Sequence, residues 1–407
     1  MRHKGAFLLF LLALAVAFAS SAPAAESDLW TWDVLVVPPD DGWETDEGKA
    51  ISRMLALHEA EISDSGDGVN GHDLRFVLLP PASQGAPLAD DRPLADNRPP
   101  ADNRPPALPL NPRAVAVMSF ASDVVNRALV DRGTGGRPLL MARGENVYFH
   151  DSEDRPVSFA FALDLYRDYR CAAFTVLASK MLGEGARIAV FGARFTFNEE
   201  REAKLCADLL REASFDPIPY WTDASVNDVF DLVEQELKSA SDGVIVSSVG
   251  SMGAKQVWNG IMKHESPYMI WYVGQPDKSF ASLRGMMFAD QNMHLNELGG
   301  FGILRREMAN KGAMFIRDWA AAGRANALAI WLTSALSNLP EGKFSAAQLI
   351  SCLEKVSSIP LGDQALNISK ETHRPGRRRV FIMTARNRKL TVTDTLDVQG
   401  IYGREER

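Results

Sequence analysis

Along this chain, runs rich in Val, Ile, Leu and Phe alternate with longer stretches whose apolar residues recur at helical spacing. That alternation constrains the fold more than any other feature. Residues 32–39, WDVLVVPP, read as a strand. Residues 45–62 follow as a helix with Ile51, Met54, Leu55 and Leu57 toward one side, and residues 73–80, DLRFVLLP, as a second strand. Further strands are expected at 113–120, 135–144, 185–192, 215–221, 241–250 and 266–274, with helices between them at 122–132, 158–181, 198–213, 226–240 and 251–264. Strands that alternate with helices of this length specify a mostly parallel sheet covered on both faces. The 407 residues are too many for one simple core, so the expectation is an α/β protein of two such lobes. The last third is more helical, at 324–339 and 345–356. It closes in RRRVFIMTARNRKLTVTD, two β-rich runs about a turn, which is a terminal hairpin.

Two segments stand outside the alternation. Arg2, His3 and Lys4 precede the apolar run 6–19, and Ala22, Pro23 and Ala24 follow it in an A-x-A pattern. Residues 1–25 are therefore assigned to a cleaved secretion signal. The run is shorter than the roughly 20 apolar residues that span a bilayer, and no Cys just after it offers a lipid attachment point. The mature protein is expected to be exported and free. Residues 87–113 repeat a hexapeptide, PLADDR, PLADNR, PPADNR, and then continue proline-rich. Proline can neither continue a helix nor donate a ladder hydrogen bond, so this is read as an exposed, extended insertion.

Charge and motif content exclude several classes of function. The net charge is −8, with no long basic run before Arg377, Arg378 and Arg379, which gives nucleic acid no support as a partner. Residues 61–80 set Asp64, Asp67, Asn70 and Asp73 among three glycines and look like a calcium loop. An EF-hand frame needs a bidentate Glu at its twelfth position, but counting from Asp64 or Asp67 puts Arg75 or Leu78 there. The glycines are the informative part, since they permit positive φ where a helix ends and a strand begins. GGFG at 299–302 is not a dinucleotide fingerprint, GSMG at 250–253 is not a nucleophile elbow, and neither a P-loop nor an H-E-x-x-H is present. The seven histidines show no metal-ligand spacing, and His72 and His373 read as surface residues. Cys171, Cys206 and Cys352 lie in helical stretches; an exported chain could pair two of them, but an odd count without close spacing favours buried free thiols. No catalytic residue, metal or cofactor is assigned.

What remains is a set of strand ends. In open α/β sheets, ligands bind outside the carboxyl ends of the strands, where helix N-termini point. Such ends fall at 119–122, 142–144, 193–198, 248–251, 274–277 and 288–291. Backbone N–H groups and hydroxyls at 119–122 could hold an anionic group, and Phe195 and Phe197 could cover an apolar one. Ser122 could equally be an N-cap and the phenylalanines core. A set of edges facing one cleft favours ligand binding.

Residues 58–79, HEAEISDSGDGVNGHDLRFVLL, resemble a passage of the type I periplasmic solute-binding proteins, the leucine/isoleucine/valine-binding group. Ala60, Glu61 and Ile62 match in place, as do Gly68, Val69, Asn70 and Gly71. Residues 359–392 resemble that family's closing passage, and the resemblance covers nearly all of the chain apart from the proline repeat. It implies two Rossmann-like lobes with parallel sheets, joined by three crossovers and closing on a ligand in the cleft between them. It places lobe 1 at 26–152 and 288–378, with 87–113 inserted, and lobe 2 at 153–287 and 379–407. It implies a periplasmic monomer, not an enzyme, whose partners are a small-molecule ligand and an inner-membrane ABC permease. The family's binding positions carry over onto Ser119, Ala121 and Ser122 for an amino-acid carboxylate, and onto Phe195. Gly250 stands at an edge of the second lobe. Ala142 and Arg143 replace the usual Ser/Ala and Thr, and Gln275 takes the place of an acidic group for an ammonium. Those departures point away from a standard amino acid, and Arg143 would suit an acidic ligand. The expected function is ABC-dependent uptake of an amino acid or a related small polar molecule. A ligand sensor on the same fold is the alternative, and a secreted α/β enzyme the third.

Overall fold

The computed structural model describes residues 30–81, 108, 111–151, 155–194, 197–222, 228–239, 242–264, 268–274, 276, 278–291, 301–310, 315–340 and 344–401. The expected leader at 1–25 and most of the repeat at 87–113 lie outside the described residues.

Trp30–Val37 (β1), Asp46–Asp64 (α1), His72–Leu78 (β2), Ala114–Ser119 (β3), Asp123–Arg132 (α2), Leu139–Met141 (β4) and Ala160–Ala162 (β5) build the first lobe. The strands run parallel in the order β2-β1-β3-β4-β5. β3 is buried along its whole length, as the near-continuous apolar runs of a parallel sheet require. Val34 and Val36 share one core with Met54 and Leu55 of α1, while Leu35 and Val37 share another with Val125 and Leu129 of α2. Each such side chain contributes roughly 1.5–3 kcal/mol by leaving water. The Thr45 hydroxyl starts α1 by accepting the Gly48 N–H at 3.0 Å. Past its end, Gly66 and Gly68 take φ of 74° and 61°, and a Cβ on Gly68 would collide with the His72 carbonyl. The glycines of that segment thus make the expected turn.

Tyr169–Met181 (α3), Arg187–Ala193 (β6), Phe197–Glu212 (α4), Asp216–Thr222 (β7), Asp228–Ser239 (α5), Val244–Ser248 (β8), Gly250–Lys263 (α6), Met269–Tyr272 (β9) and Met286–Asp290 (β10) form the second lobe. The chain then returns to the first lobe as Gly302–Asn310 (α7), Trp319–Ser337 (α8) and Ala346–Leu353 (α9). Two small antiparallel pairs follow: Ile359–Leu361 (β11) with Gln364–Leu366 (β12), and Ile368–Ser369 (β13) with Arg374–Pro375 (β14). α8 lies along α1, with His58 and Asn326 joined at 2.8 Å. The chain ends in the second sheet as the expected hairpin, Arg377–Arg386 (β15) and Lys389–Gln399 (β16). That sheet has the order β16-β15-β10-β9-β8-β6-β7, with β15 antiparallel to β10. Its parallel part, β7-β6-β8-β9-β10, repeats the strand order of the first sheet.

Three expectations are corrected. Residues 158–181 are not one helix, because Ala160–Ala162 pairs with β4 and the helix starts only at Tyr169. Ala160 and Ala162 enter one core while Phe161 and Leu163 enter the other, a period of two that sheet pairing rewards over the helix propensity of alanine. Cys171 and Cys206 are not free thiols. They form a disulfide between α3 and α4, with Cα atoms 4.9 Å apart, while Cys352 stays free and buried. His373 is not at the surface: its ring stacks on Phe161 at 4.1 Å and has its nitrogens 3.0 Å from the Ala160 carbonyl and from a Glu354 carboxylate oxygen. Sheet membership also sets the crossovers. They fall after Ala162, after Asp290 and at Gly376, against expected divisions after 152, 287 and 378.

Candidate functional site

The strand order reverses between β1 and β3 in the first sheet and between β6 and β8 in the second. Loops leaving neighbouring strands diverge at such a point, and each sheet opens a crevice at its carboxyl edge there.

On the first sheet, Ser119 ends β3 and is fully buried. Its Oγ donates to Asn126 Oδ1 at 2.5 Å and accepts the Ala121 N–H at 3.4 Å. Ser122 is the N-cap of α2, with extended backbone and no side-chain capping bond, and its own N–H donates to Asp40 Oδ1 at 2.9 Å. Asn126 Nδ2 donates to the carbonyls of Ala121 at 3.1 Å and Arg143 at 2.9 Å, holding the β3 and β4 edges together. Ala142 is buried, with its N–H on the Ser119 carbonyl at 2.8 Å. Arg143, half exposed, reaches Glu47 at the start of α1, its Nη2 lying 2.6 Å from Oε1. Arg324 of α8, almost wholly buried, approaches the same oxygen at 3.5 Å. Burial, and then the charge of Arg143, lower the pKa of Arg324.

The second sheet contributes the other edge, part of which lies outside the described residues. Gly250 opens α6 with φ of 68°, which a side chain would strain, behind Val249, which offers no side-chain cap. Ser247 and Ser248 end β8 and are buried. Arg194 follows β6 and lies over the Trp221 ring at 5.1 Å. Five of the expected positions, Ser119, Ala121, Ser122, Ala142 and Arg143, thus share one edge, and Gly250 holds the matching place on the other. Phe195 and Gln275 lie outside the described residues.

Between the edges, the crossovers meet in a buried charged seam that the sequence reading missed. Arg378 donates to the Leu163 carbonyl at 2.8 Å, to Asp164 Oδ1 at 2.7 Å and to the Gln291 carbonyl at 3.1 Å, binding all three crossovers. Arg374 donates to the carbonyls of Gly144 and Asp164 at 2.9 Å and to that of Val147, and stacks on Phe149 at 4.2 Å. The Gln291 side chain accepts the Leu165 N–H at 2.8 Å and donates to Glu145 at 3.1 Å. Glu145, from the first lobe, is ion-paired with Arg170 of α3 in the second. Burial pushes the Glu145 carboxyl up to about 7; Arg170 opposes the rise, and Asp290 and Asp164 add to it. The one sequence hint was the RPGRRR run, whose last three arginines were read only as a short basic run opening the terminal hairpin.

An open cavity of about 520 Å³ lies elsewhere, lined by Ser334, Asn338, Cys352 and Lys355 among others. It sits at the far end of α8, whose first turns face the cleft edge, and so stands apart from the site. No helix among the described residues is long and apolar enough to cross a membrane.

No protein-family model matches the sequence, and no curated protein matches it. Solved structures do match. An ABC transporter substrate-binding protein from Desulfitobacterium hafniense aligns with a TM-score of 0.62 at 12% identity, over 89% of this chain and 100% of that one. The leucine-binding protein LivK from Thermotoga maritima aligns with a TM-score of 0.56 at 11% identity, over 90% and 98%. A solute-binding protein of an ABC transporter from Rhodopseudomonas palustris, in complex with 3,4-dihydroxybenzoic acid, gives 0.54 at 12% identity, over 91% and 98%. At such identities the likeness carries the fold: this chain has the two-lobed type I periplasmic binding protein fold.

Proposed function

We propose that this protein is an exported solute-binding protein that closes its two lobes on an amino acid or a related small polar molecule and hands it to an inner-membrane ABC permease. The observation that carries the reading is the pair of sheets with one strand order, their switch-point edges joined through three crossovers. Two of these solved neighbours are named as substrate- or solute-binding proteins of ABC transporters, one of them holding a small carboxylic acid, and the third as a leucine-binding protein. The Cys171–Cys206 disulfide fits an oxidising, extracytoplasmic compartment. In this reading Ser119, Ala121, Ser122, Ala142, Arg143 and Gly250 line the ligand cleft, with Phe195 and Gln275 completing it, and the protein acts as a monomer. A ligand that binds the folded state raises its apparent stability, and hinge closure shortens the molecule. Thermal-shift screening of small polar metabolites, followed by small-angle scattering on each hit, tests both. A saturable rise in Tm with a smaller radius of gyration is expected. Hits that leave the radius unchanged would remove the hinge-closing carrier.

A further inference from the structure

The first wall of the cleft has two places for an anion, and they differ in what already fills them. At the N-terminus of α2, the Ser122 N–H is bonded to Asp40 and the Ser119 hydroxyl to Asn126, so this chain's own carboxylate and amide already take two of the groups a ligand carboxylate could use there. At the start of α1, two guanidinium groups converge on a single oxygen of Glu47. The other carboxylates around that point have their own partners. Asp46 meets Arg317, Asp164 meets Arg378, and Asp318 caps the Ala321 N–H at 2.9 Å. Asp41 is exposed and therefore screened by water and salt. At contact distance one carboxylate thus meets two guanidinium groups, the charges of Asp164 and Asp318 also reach Arg324, and Arg324 is almost wholly withdrawn from solvent.

From this geometry we infer that the ligand is a small organic anion whose carboxylate is taken by Arg143, with Arg324 behind it, and not by the N-terminus of α2. The inference rests on the carrier reading above and adds the ligand class. A guanidinium presents a planar fork that matches a carboxylate in two parallel hydrogen bonds. Arg143 spends Nη2 on Glu47 and is 43% exposed, so a solute entering the cleft can reach the rest of the fork. Arg324 is 7% exposed and contributes its charge through the shared Glu47. Burial, and then the charge of Arg143, lower the pKa of Arg324, and an anion held by Arg143 would offset the second of these. Glu47 is then an internal competitor: it holds the two arginines in place and weakens any anion that binds them.

The test uses the mature full-length chain and calorimetric titration with four probes: succinate and benzoate as anions, leucine as a zwitterion and putrescine as a cation. Saturable binding is expected for an anion. Arg143→Gln should weaken it at least tenfold, Arg143→Lys less, and Glu47→Gln should tighten it severalfold. Raising the salt concentration should weaken it as well. If leucine or putrescine binds instead and ignores both substitutions, the anion assignment falls and the carrier stands. The anion assignment falls in the same way if Asp40→Asn strengthens leucine while Arg143→Gln changes nothing. If no probe of any class binds, the carrier reading and this inference are overturned together.

Discussion

The two lobes repeat one strand order, β2-β1-β3-β4-β5 and β7-β6-β8-β9-β10, yet their carboxyl edges are built differently. The first edge is charged and internally bonded: Asp40 on Ser122, Asn126 on Ser119, and Arg143 and Arg324 on Glu47. The second opens its helix on Gly250 behind an uncapped Val249 and ends its β8 strand in two buried serines. The sheet order fixes where a cleft must lie, while the loops and helix starts decide its chemistry. The two lobes also meet differently from the way each holds itself together. Apolar packing makes their cores and one apolar cluster runs through both lobes, while the crossovers add a buried ionic seam.

The largest test of that contrast is the seam. Arg378→Leu removes the ion-pair partner of the buried Asp164, and should cost about 3–5 kcal/mol in urea unfolding. Replacing both partners by apolar residues should recover much of it. A single-substitution cost below about 1 kcal/mol would show that the lobes are held by packing instead.

The next effect separates the lobes. The Cys171–Cys206 bridge lies wholly in the second lobe and closes a loop of 35 residues. Reduction, or the double change to Ser, should cost about 2–4 kcal/mol. Scanning calorimetry should show the second lobe's transition moving ahead of the first; equal shifts in both would mean that they unfold as one unit.

Glu145 should then reveal the seam through pH. Its folded-state pKa is raised, from an ordinary 4.5 to about 7. Between those values the folded protein holds a proton that the unfolded chain has released. Stability from this group is therefore fully present below 4.5 and is lost as pH rises through about 7. The slope is at most about 1.4 kcal/mol per pH unit. Glu145→Gln should flatten it, as read from urea midpoints across that window. A slope unchanged by the substitution would place the titrating group elsewhere.

The smallest effect compares the helix starts. Thr45→Ala removes the cap of α1 at the first edge and should cost about 1 kcal/mol. Val249→Ala at the second edge removes no capping bond, so its cost should come from packing alone. Equal costs would erase the distinction between the two edges.

Much of this molecule was legible as sequence because its information is local. The valine-rich runs of β1 and β3, the Gly66–Gly68 turn and the terminal hairpin each announce themselves within a few residues, through period, φ preference and turn chemistry. The strand Ala160–Ala162 was not legible, since its alanines and phenylalanines suit a helix equally well until β4 lies beside them. Ser119, Ser122 and Arg143 could be placed on one edge, but their bonding could not, because Asn126 reaches Ser119 from α2, and Asp40 and Glu47 reach Ser122 and Arg143 from the loop after β1 and the start of α1.

By itself, then, the sequence determined two α/β lobes and the strand ends that form a cleft, since hydrophobic periodicity is written residue by residue. Only the tertiary structure decided which charges meet. Arg378 and Asp164 are 214 positions apart, and Arg324 and Glu47 are 277. Nothing local links such residues. They pair because the chain crosses between lobes three times, which returns α8 to α1 and Arg378 to Asp164, and because a charge that is buried must find an opposite charge once water has left it.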